Sequence, residues 1–381
     1  MGQKKLNLEE TLEELVSANE EENRFKTALE WKRQGGKIIG TLCSYVPEEI
    51  IYATGMFPFR ITGTLQKEIT LASVYRPSNC CLYNNHVTES LLTGQLDFLD
   101  GVVFTNQDDD RRRLYDLFVH LGKPRFIHFM HTPLTNSESA CQAYVRSLTR
   151  LKEDLEVFGE VEISDDSLVR AIETYNRMRK LLLKIYNLRK RVVPPISGSE
   201  SLRITMAAFC LTKDDYIEKL GEVANYLEQR GTAANNDQPR LLVTSDKLYE
   251  PAYLELIEEI GALVVMDDFD TGSRYFWDEV SSSLEPMYAL SKRYINAPAD
   301  PRCYFMEEKM EQLIAWSKDF NVKGILNLPQ QYDYARLYAV PYYTRRLNEN
   351  GIPNMTFIRE YCLRNVGQLT TRIEAFLEML G

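Results

Sequence analysis

Two stretches of this sequence hold residues placed to do chemistry. One is the vicinal thiol pair in Asn79-Cys80-Cys81, and the other is the polar run Thr105-Asn106-Gln107-Asp108-Asp109-Asp110. A helix-like segment and the apolar stretch Gly101-Val102-Val103-Phe104 lie between them, which puts the acids at the carboxyl end of a buried strand. Open α/β sheets present their ligand-binding groups at that end. Thiolates suit soft and borderline metals, whereas carboxylates suit hard cations and polar substrates. The two stretches together therefore read as a metal site, a substrate site, or neither.

The elements that must position these groups follow a βα rhythm. Residues 1–35 read as a helical lead-in, with Leu8, Leu12, Leu15 and Val16 at helical spacing. Gly35-Gly36 ends it, and residues 36–150 read as a first α/β domain. There the strand Lys37–Leu42 runs into Cys43 on a strand-to-helix loop. Pro47, Glu48 and Glu49 suit the first turn of the next helix. Cys43 reads either as a small buried hydrophobe or as a thiol ligand. His128 and His131 fall on opposite faces of a strand, which argues against a shared metal. Residues 151–238 read as a helical region, closed by a loop over 231–239, and residues 239–381 as a second α/β domain. Its strand Ala262–Met266 again runs into acids, Asp267, Asp268 and Asp270. The expected fold class is α/β, with two similar open parallel sheets joined by helices. The loops 43–48, 105–111, 267–274 and 329–333 would then line one cleft between them.

Composition bounds the function. A chain of 381 residues suits two or three domains, and its net charge of −10 argues against broad nucleic-acid binding. The seven cysteines form no CxxC, and the amino-terminal stretch is polar and acidic rather than signal-like. Reduced thiols in a cytoplasmic protein are the expectation, with one or more of them available to a metal. No apolar run approaches the roughly 20 residues that span a bilayer, so no membrane partner is expected. No phosphate-cradling loop is present, so no nucleotide is expected on this chain.

Cys43-Ser44-Tyr45-Val46-Pro47-Glu48-Glu49-Ile50-Ile51-Tyr52-Ala53, with Gly55-Met56 and Pro58, resembles the opening motif of the 2-hydroxyacyl-CoA dehydratase and benzoyl-CoA reductase family. Asp268-Phe269-Asp270-Thr271-Gly272-Ser273-Arg274-Tyr275 resembles its second-domain signature, and Gly351-Ile352-Pro353 with residues 367–378 its carboxyl-terminal pattern. The likeness covers roughly residues 20 to 381. It implies paired related subunits, each with two flavodoxin-like domains and a helical region. It also implies a [4Fe–4S] cluster on three cysteines and an ATP-hydrolysing iron–sulfur activator that delivers a low-potential electron to an acyl-CoA.

The resemblance places the first cluster ligand at Cys80 or Cys81. It places the second near Gln107 to Asp109 and the third near Tyr332, where this chain has no cysteine. Asp270 stands where many relatives carry a cysteine, and Cys303 is a further thiol near a family Cys-Pro position. Three arrangements stay open. The chain holds no cluster and shapes a substrate cleft; it shares an interface cluster through Cys80 or Cys81; or Cys43 joins another thiol in an unusual site. Tyr45, Arg274 and Tyr275 are the candidate substrate contacts, and His86, Glu48 and Tyr332 the candidate proton donors. The expected role is the smaller, non-ATPase subunit of an ATP-driven benzoyl-CoA-type reductase acting on an aromatic acyl-CoA beside a related larger subunit. The alternatives are a 2-hydroxyacyl-CoA dehydratase subunit and a non-catalytic scaffold.

Overall fold

The computed structural model describes residues 8–230, 238–297, 302–304 and 306–381. Helices α1 (Leu8–Ser17) and α2 (Lys26–Arg33) lead into a first α/β unit. It runs β1 (Ile38–Thr41), α3 (Glu48–Ala53), β2 (Phe57–Arg60), α4 (Ala72–Tyr75), α5 (Leu82–Leu92), β3 (Gly101–Thr105), α6 (Asp109–Leu121) and β4 (Phe126–Met130). Four longer helices follow: α7 (Glu138–Gly159), α8 (Asp165–Leu188), α9 (Gly198–Ala207) and α10 (Lys213–Gln229). The second unit runs β5 (Arg240–Thr244), α11 (Ala252–Glu259), β6 (Leu263–Asp268), α12 (Ser273–Phe276), α13 (Pro286–Asn296), α14 (Met306–Asp319), β7 (Gly324–Asn327), α15 (Tyr334–Glu349), β8 (Asn354–Thr356) and α16 (Val366–Leu380).

Both sheets are parallel, in the orders β2-β1-β3-β4 and β6-β5-β7-β8. Each places its second strand outside the first, the flavodoxin-like winding. The fold is therefore α/β, with two flavodoxin-like sheets joined by α7 to α10. All four residues of β1 and all five of β3 are buried, as parallel strands covered on both faces must be. Helix starts carry ordinary caps. Asp108 accepts from Arg111 N at 2.6 Å, and Ser197 with Glu200 forms a capping box on α9. No described helix is long and apolar enough to cross a membrane.

Two elements differ from the sequence expectation. The stretch from 200 to 230 divides into α9 and α10, because the Phe209 carbonyl leaves the helix to accept from Arg60 N at 3.1 Å. The Arg60 guanidinium then lies 4.7 Å from the Phe209 ring. Helix α13 has no counterpart in the sequence reading, although Glu285 caps it through Met287 N and Tyr288 N and Pro286 occupies its first turn. The loop over 231–239 falls largely outside the described residues.

The two sheets meet through buried charge. Asp270, just past β6, accepts from Ser44 N at 3.0 Å, and its carbonyl accepts from Ser44 Oγ at 2.8 Å. Arg60 joins Asp270 and Glu48, both at 3.3 Å. Glu48 also accepts from Tyr275 OH at 2.8 Å and Tyr175 OH at 3.3 Å, and Lys213 Nζ lies 3.3 Å away. Burial raises the Glu48 pKa, but Lys213 and Arg60 outweigh it and hold the carboxyl below its usual range. Glu49 is paired in the same way with Arg179 at 2.5 Å and Tyr294 OH at 2.7 Å.

Replacing Glu48 with Gln strands the Lys213 charge and leaves Arg60 with Asp270 alone, and breaking a buried pair in this way costs about 3–5 kcal/mol. Denaturant unfolding at pH 7 should show that loss. Because the folded pKa is depressed, the carboxylate's contribution is complete above its unfolded pKa and fades as pH falls through the folded value, so the wild-type advantage should shrink in acid. Helix α9 lies directly on β6, where a Cβ at Gly198 would sit 2.7 Å from the Val264 carbonyl oxygen. Gly198→Ala should cost about 1–3 kcal/mol by overpacking. The control Gly367→Ala, with nothing within 4 Å, should be neutral or slightly stabilising in the same melts.

Candidate functional site

The loops expected to share a cleft follow β1, β3, β6 and β7, and with the loop after β5 they do come together, but the space between them is filled. From the first sheet, Arg111 donates to Gln107 Oε1 and, at 3.5 Å, to Thr105 Oγ1. Cys43 Sγ lies 3.5 Å from the same hydroxyl. Arg302 spans the gap to the second sheet. It meets Asp108 at 3.1 Å, Asp333 at 2.9 Å and Asp246 at 3.5 Å. Burial raises the Asp108 pKa, but Arg302 and Arg111 outweigh it and keep the group ionised. One guanidinium thus holds three carboxylates drawn from loops far apart in the chain.

Cys81 sits at the amino end of α5, which has no side-chain cap of its own. The cap comes from the other sheet. One terminal atom of the Gln330 side chain lies 3.5 Å from Cys81 Sγ, and the Leu82 and Tyr83 N–H groups face that same atom at 3.3 and 3.1 Å. Two N–H donors identify it as the amide oxygen, so the Cys81 thiol completes the set as a third donor. Burial, reinforced by Asp110, Asp333 and Asp108, pushes the Cys81 thiol up to about 12. Cys80 is half-buried, and burial with Asp110 raises its thiol as well.

These residues do not fit a three-thiolate iron–sulfur cluster. Such a cluster takes several cysteine ligands, and the loops facing Cys80 and Cys81 bring Gln107, Asp108, Gln330 and Asp333 rather than further thiols. The neighbouring loops offer amide and carboxylate groups already engaged with Arg111 and Arg302. Cys43 is buried against Thr105, in a different apolar cluster from the one Cys81 packs against. Among the described residues, no group of three or more His, Cys, Asp and Glu side chains is arranged to hold a metal ion.

The other sequence candidates lie in separate settings. Glu48 and Tyr275 belong to the inter-sheet ion network, and Tyr275 donates to Glu48. Arg274 is buried and donates to the Ser245 carbonyl at 2.7 Å and to the Asp246 carbonyl. Tyr45 packs with its hydroxyl 3.4 Å from Cys303 Sγ. Tyr332 is half-buried at φ +66, in the turn where Asp333 caps α15. A bulky residue there carries strain of about 1–3 kcal/mol. That turn is tied down by Gln331 N donating to the Arg359 carbonyl at 2.7 Å.

His86 lines a sizeable cavity. It sits on α5 one turn beyond Cys81, and its Nδ1 lies 2.8 Å from the Thr64 carbonyl. A carbonyl only accepts, so Nδ1 carries the proton. Burial lowers the His86 pKa to about 4, and the ring is neutral at pH 7. The cavity, about 430 Å³, is also lined by Ile69, Leu82, Tyr361, Cys362 and Arg364. Sequence reasoning missed Tyr361 and Arg364. It missed Gln330 as the α5 cap as well, since no local pattern links residues so far apart.

Comparison with known proteins agrees with this architecture. The family described as "2-hydroxyglutaryl-CoA dehydratase, D-component" matches residues 43–380. The chain is 27% identical over 363 residues to the (R)-2-hydroxyglutaryl-CoA dehydratase subunit beta of Acidaminococcus fermentans, covering 93% of this chain and 96% of that one. It is 26% identical over 362 residues to the (R)-phenyllactyl-CoA dehydratase beta subunit of Clostridium sporogenes, covering 92% and 93%. It is also 26% identical over 345 residues to one of the subunits of the benzoyl-CoA reductase of Thauera aromatica, covering 87% and 88%. With the family match spanning most of its length, the chain belongs to the 2-hydroxyglutaryl-CoA dehydratase D-component family.

Proposed function

We propose that this chain is the subunit of an aromatic acyl-CoA reductase complex that contributes the substrate-side framework and holds no iron–sulfur cluster of its own. The observation that carries this reading is the Arg302 clamp on Asp108, Asp246 and Asp333, which stands among the loops where the family resemblance expects thiolates. An ion set of this kind cannot exchange electrons, so the low-potential electron would run through a related larger subunit and its ATP-hydrolysing iron–sulfur activator. Cytoplasmic location, where thiols are kept reduced, belongs to the same reading.

His86 enters this reading as an acceptor rather than an acid. Its Nδ1 proton is committed to Thr64, and the neutral ring leaves Nε2 with a lone pair. Proton delivery to a reduced ring then falls to the partner subunit or to solvent. The second reading, a 2-hydroxyacyl-CoA dehydratase subunit, is favoured by the equal similarity to two dehydratase beta subunits.

The complex purified without oxygen, with its related partner, separates these readings. Iron analysis should return the same iron per complex for wild type and for Cys80→Ser/Cys81→Ser. A loss of about four irons in the variant would overturn the cluster-free assignment. With benzoyl-CoA and a strong reductant, net consumption of electrons per product supports the reductase reading. Elimination of water from a 2-hydroxyacyl-CoA without net electron use supports the dehydratase reading instead. By proton-detected NMR, the His86 ring should titrate near pH 4. Because that value is depressed, the unfolded chain protonates first, and stability should fall as pH drops from the unfolded histidine value toward 4. His86→Gln should remove that part of the slope.

A further inference from the structure

We infer that the cavity beside His86 takes the pantetheine arm of an acyl-CoA, with the phosphates at a mouth flanked by Lys67 and Arg364. This rests on the acyl-CoA reading above and names where this chain would meet that ligand. The region between the sheets is closed to it, because Cys43, Asp270, Arg274 and Tyr275 are each under one-tenth exposed and already partnered. The flank of α5 offers about 430 Å³, within the usual size range of small-molecule sites.

The walls come from both sheets and are set in advance of any ligand. On one side, Glu89 accepts from Thr70 N at 3.2 Å and Ala72 N at 2.7 Å, which fixes the loop carrying Lys67 and Ile69. On the other side, the segment after β8 is anchored by the Tyr361 hydroxyl donating to the Thr62 carbonyl and by Cys362 Sγ donating to the Leu65 carbonyl at 3.3 Å. The His86 and Tyr361 rings lie 4.3 Å apart, centroid to centroid, and with Ile69 and Leu82 make an apolar wall. Such a wall suits methylene chains and aryl groups.

Polar groups are few and specific. With Nδ1–H given to Thr64, the imidazole presents a lone pair at Nε2, which suits an amide N–H, and a pantetheine arm carries two such groups. Lys67 is exposed and has no ion pair among the described residues. Arg364 is also exposed and only loosely held, 3.5 Å from Glu360. Arg76 is committed to Asn85 at 2.7 Å and to Asp110, so it orders the wall rather than the ligand. Glu68 and Glu360 share the lining and oppose an anion there, so a bound phosphate must draw Lys67 and Arg364 away from them. In a chain with net charge −10, an exposed pair of cations beside an apolar cavity is the feature a polyanion with a hydrocarbon arm would use.

Calorimetry on the full chain with CoA and with pantetheine, which lacks the phosphates, tests this directly. Lys67→Glu/Arg364→Glu should weaken CoA about tenfold or more at low salt and leave pantetheine unchanged. Ile69→Trp, which fills the cavity, should weaken both ligands. Each variant is checked for a wild-type melting profile before titration. Wild-type affinity for CoA in both variants, or no CoA binding to the folded wild-type chain or its complex, overturns the site. These measurements need no turnover. Binding that is lost in the variants while the complex fails to reduce benzoyl-CoA would leave the site standing and sink only the reductase reading.

Discussion

The Asp270 carboxylate is the joint on which this structure turns. It belongs to the loop after β6 yet accepts from Ser44 N in the loop after β1, while Arg60 ties it to Glu48 at the start of α3. Arg60 and Glu48 are each no more than 2% exposed, and Asp270 is 5% exposed. Charges so deeply buried persist only as a complete set, since each one alone would carry an uncompensated desolvation cost. The set includes Lys213 of α10 and Tyr275 of α12, so first sheet, helical region and second sheet are fastened at a single point. The closeness of the two sheets follows from that fastening.

Closure at this joint explains why the acid-rich loops carry structure. Each signature acid of the second unit has its own partner. Asp267 accepts from Tyr186 OH at 2.6 Å and Ser273 N at 2.8 Å, and Asp268 meets Lys309 and Thr244. Burial, with Arg189 opposing it, leaves the Asp267 pKa raised, whereas Lys309 and Arg274 overcome burial at Asp268 and lower it. Adjacent carboxyls are thus separated in their proton affinity by which helix each one anchors. The Arg302 clamp extends the same logic to the loops after β3, β5 and β7.

Much of this was legible in the sequence. The strands Gly101–Thr105 and Arg240–Thr244 stand out as short apolar runs, and the helices after them as periodic segments with acids at their starts. The family motifs could be read because they are local strings. What could not be read is which distant partner each polar residue meets. Glu48 reads as a residue complementing a helix dipole, but it is buried against Lys213 and Tyr275, more than 150 positions away. Cys81 reads as a ligand from its motif, but nothing local shows that Gln330, 249 positions distant, lies beside it. Spacing along the chain carries no information about such pairs. They are settled only when the loops at the carboxyl ends of the two sheets are brought together.

That packing also decides where a ligand could be met. In a doubly wound sheet the crevice at the carboxyl ends of the strands is the ordinary binding place. Here two such crevices confront one another and are consumed by ion pairs, and a cavity stands at the margin, where the loop before α5 and the segment after β8 diverge. Helix α5 belongs to both regions. Its first turn, at Cys81 and Tyr83, faces Gln330 and the closed joint. Its next turn, at Asn85 and His86, faces the open cavity. A ligand in the cavity would press on the same helix that the Gln330 amide caps from the second sheet.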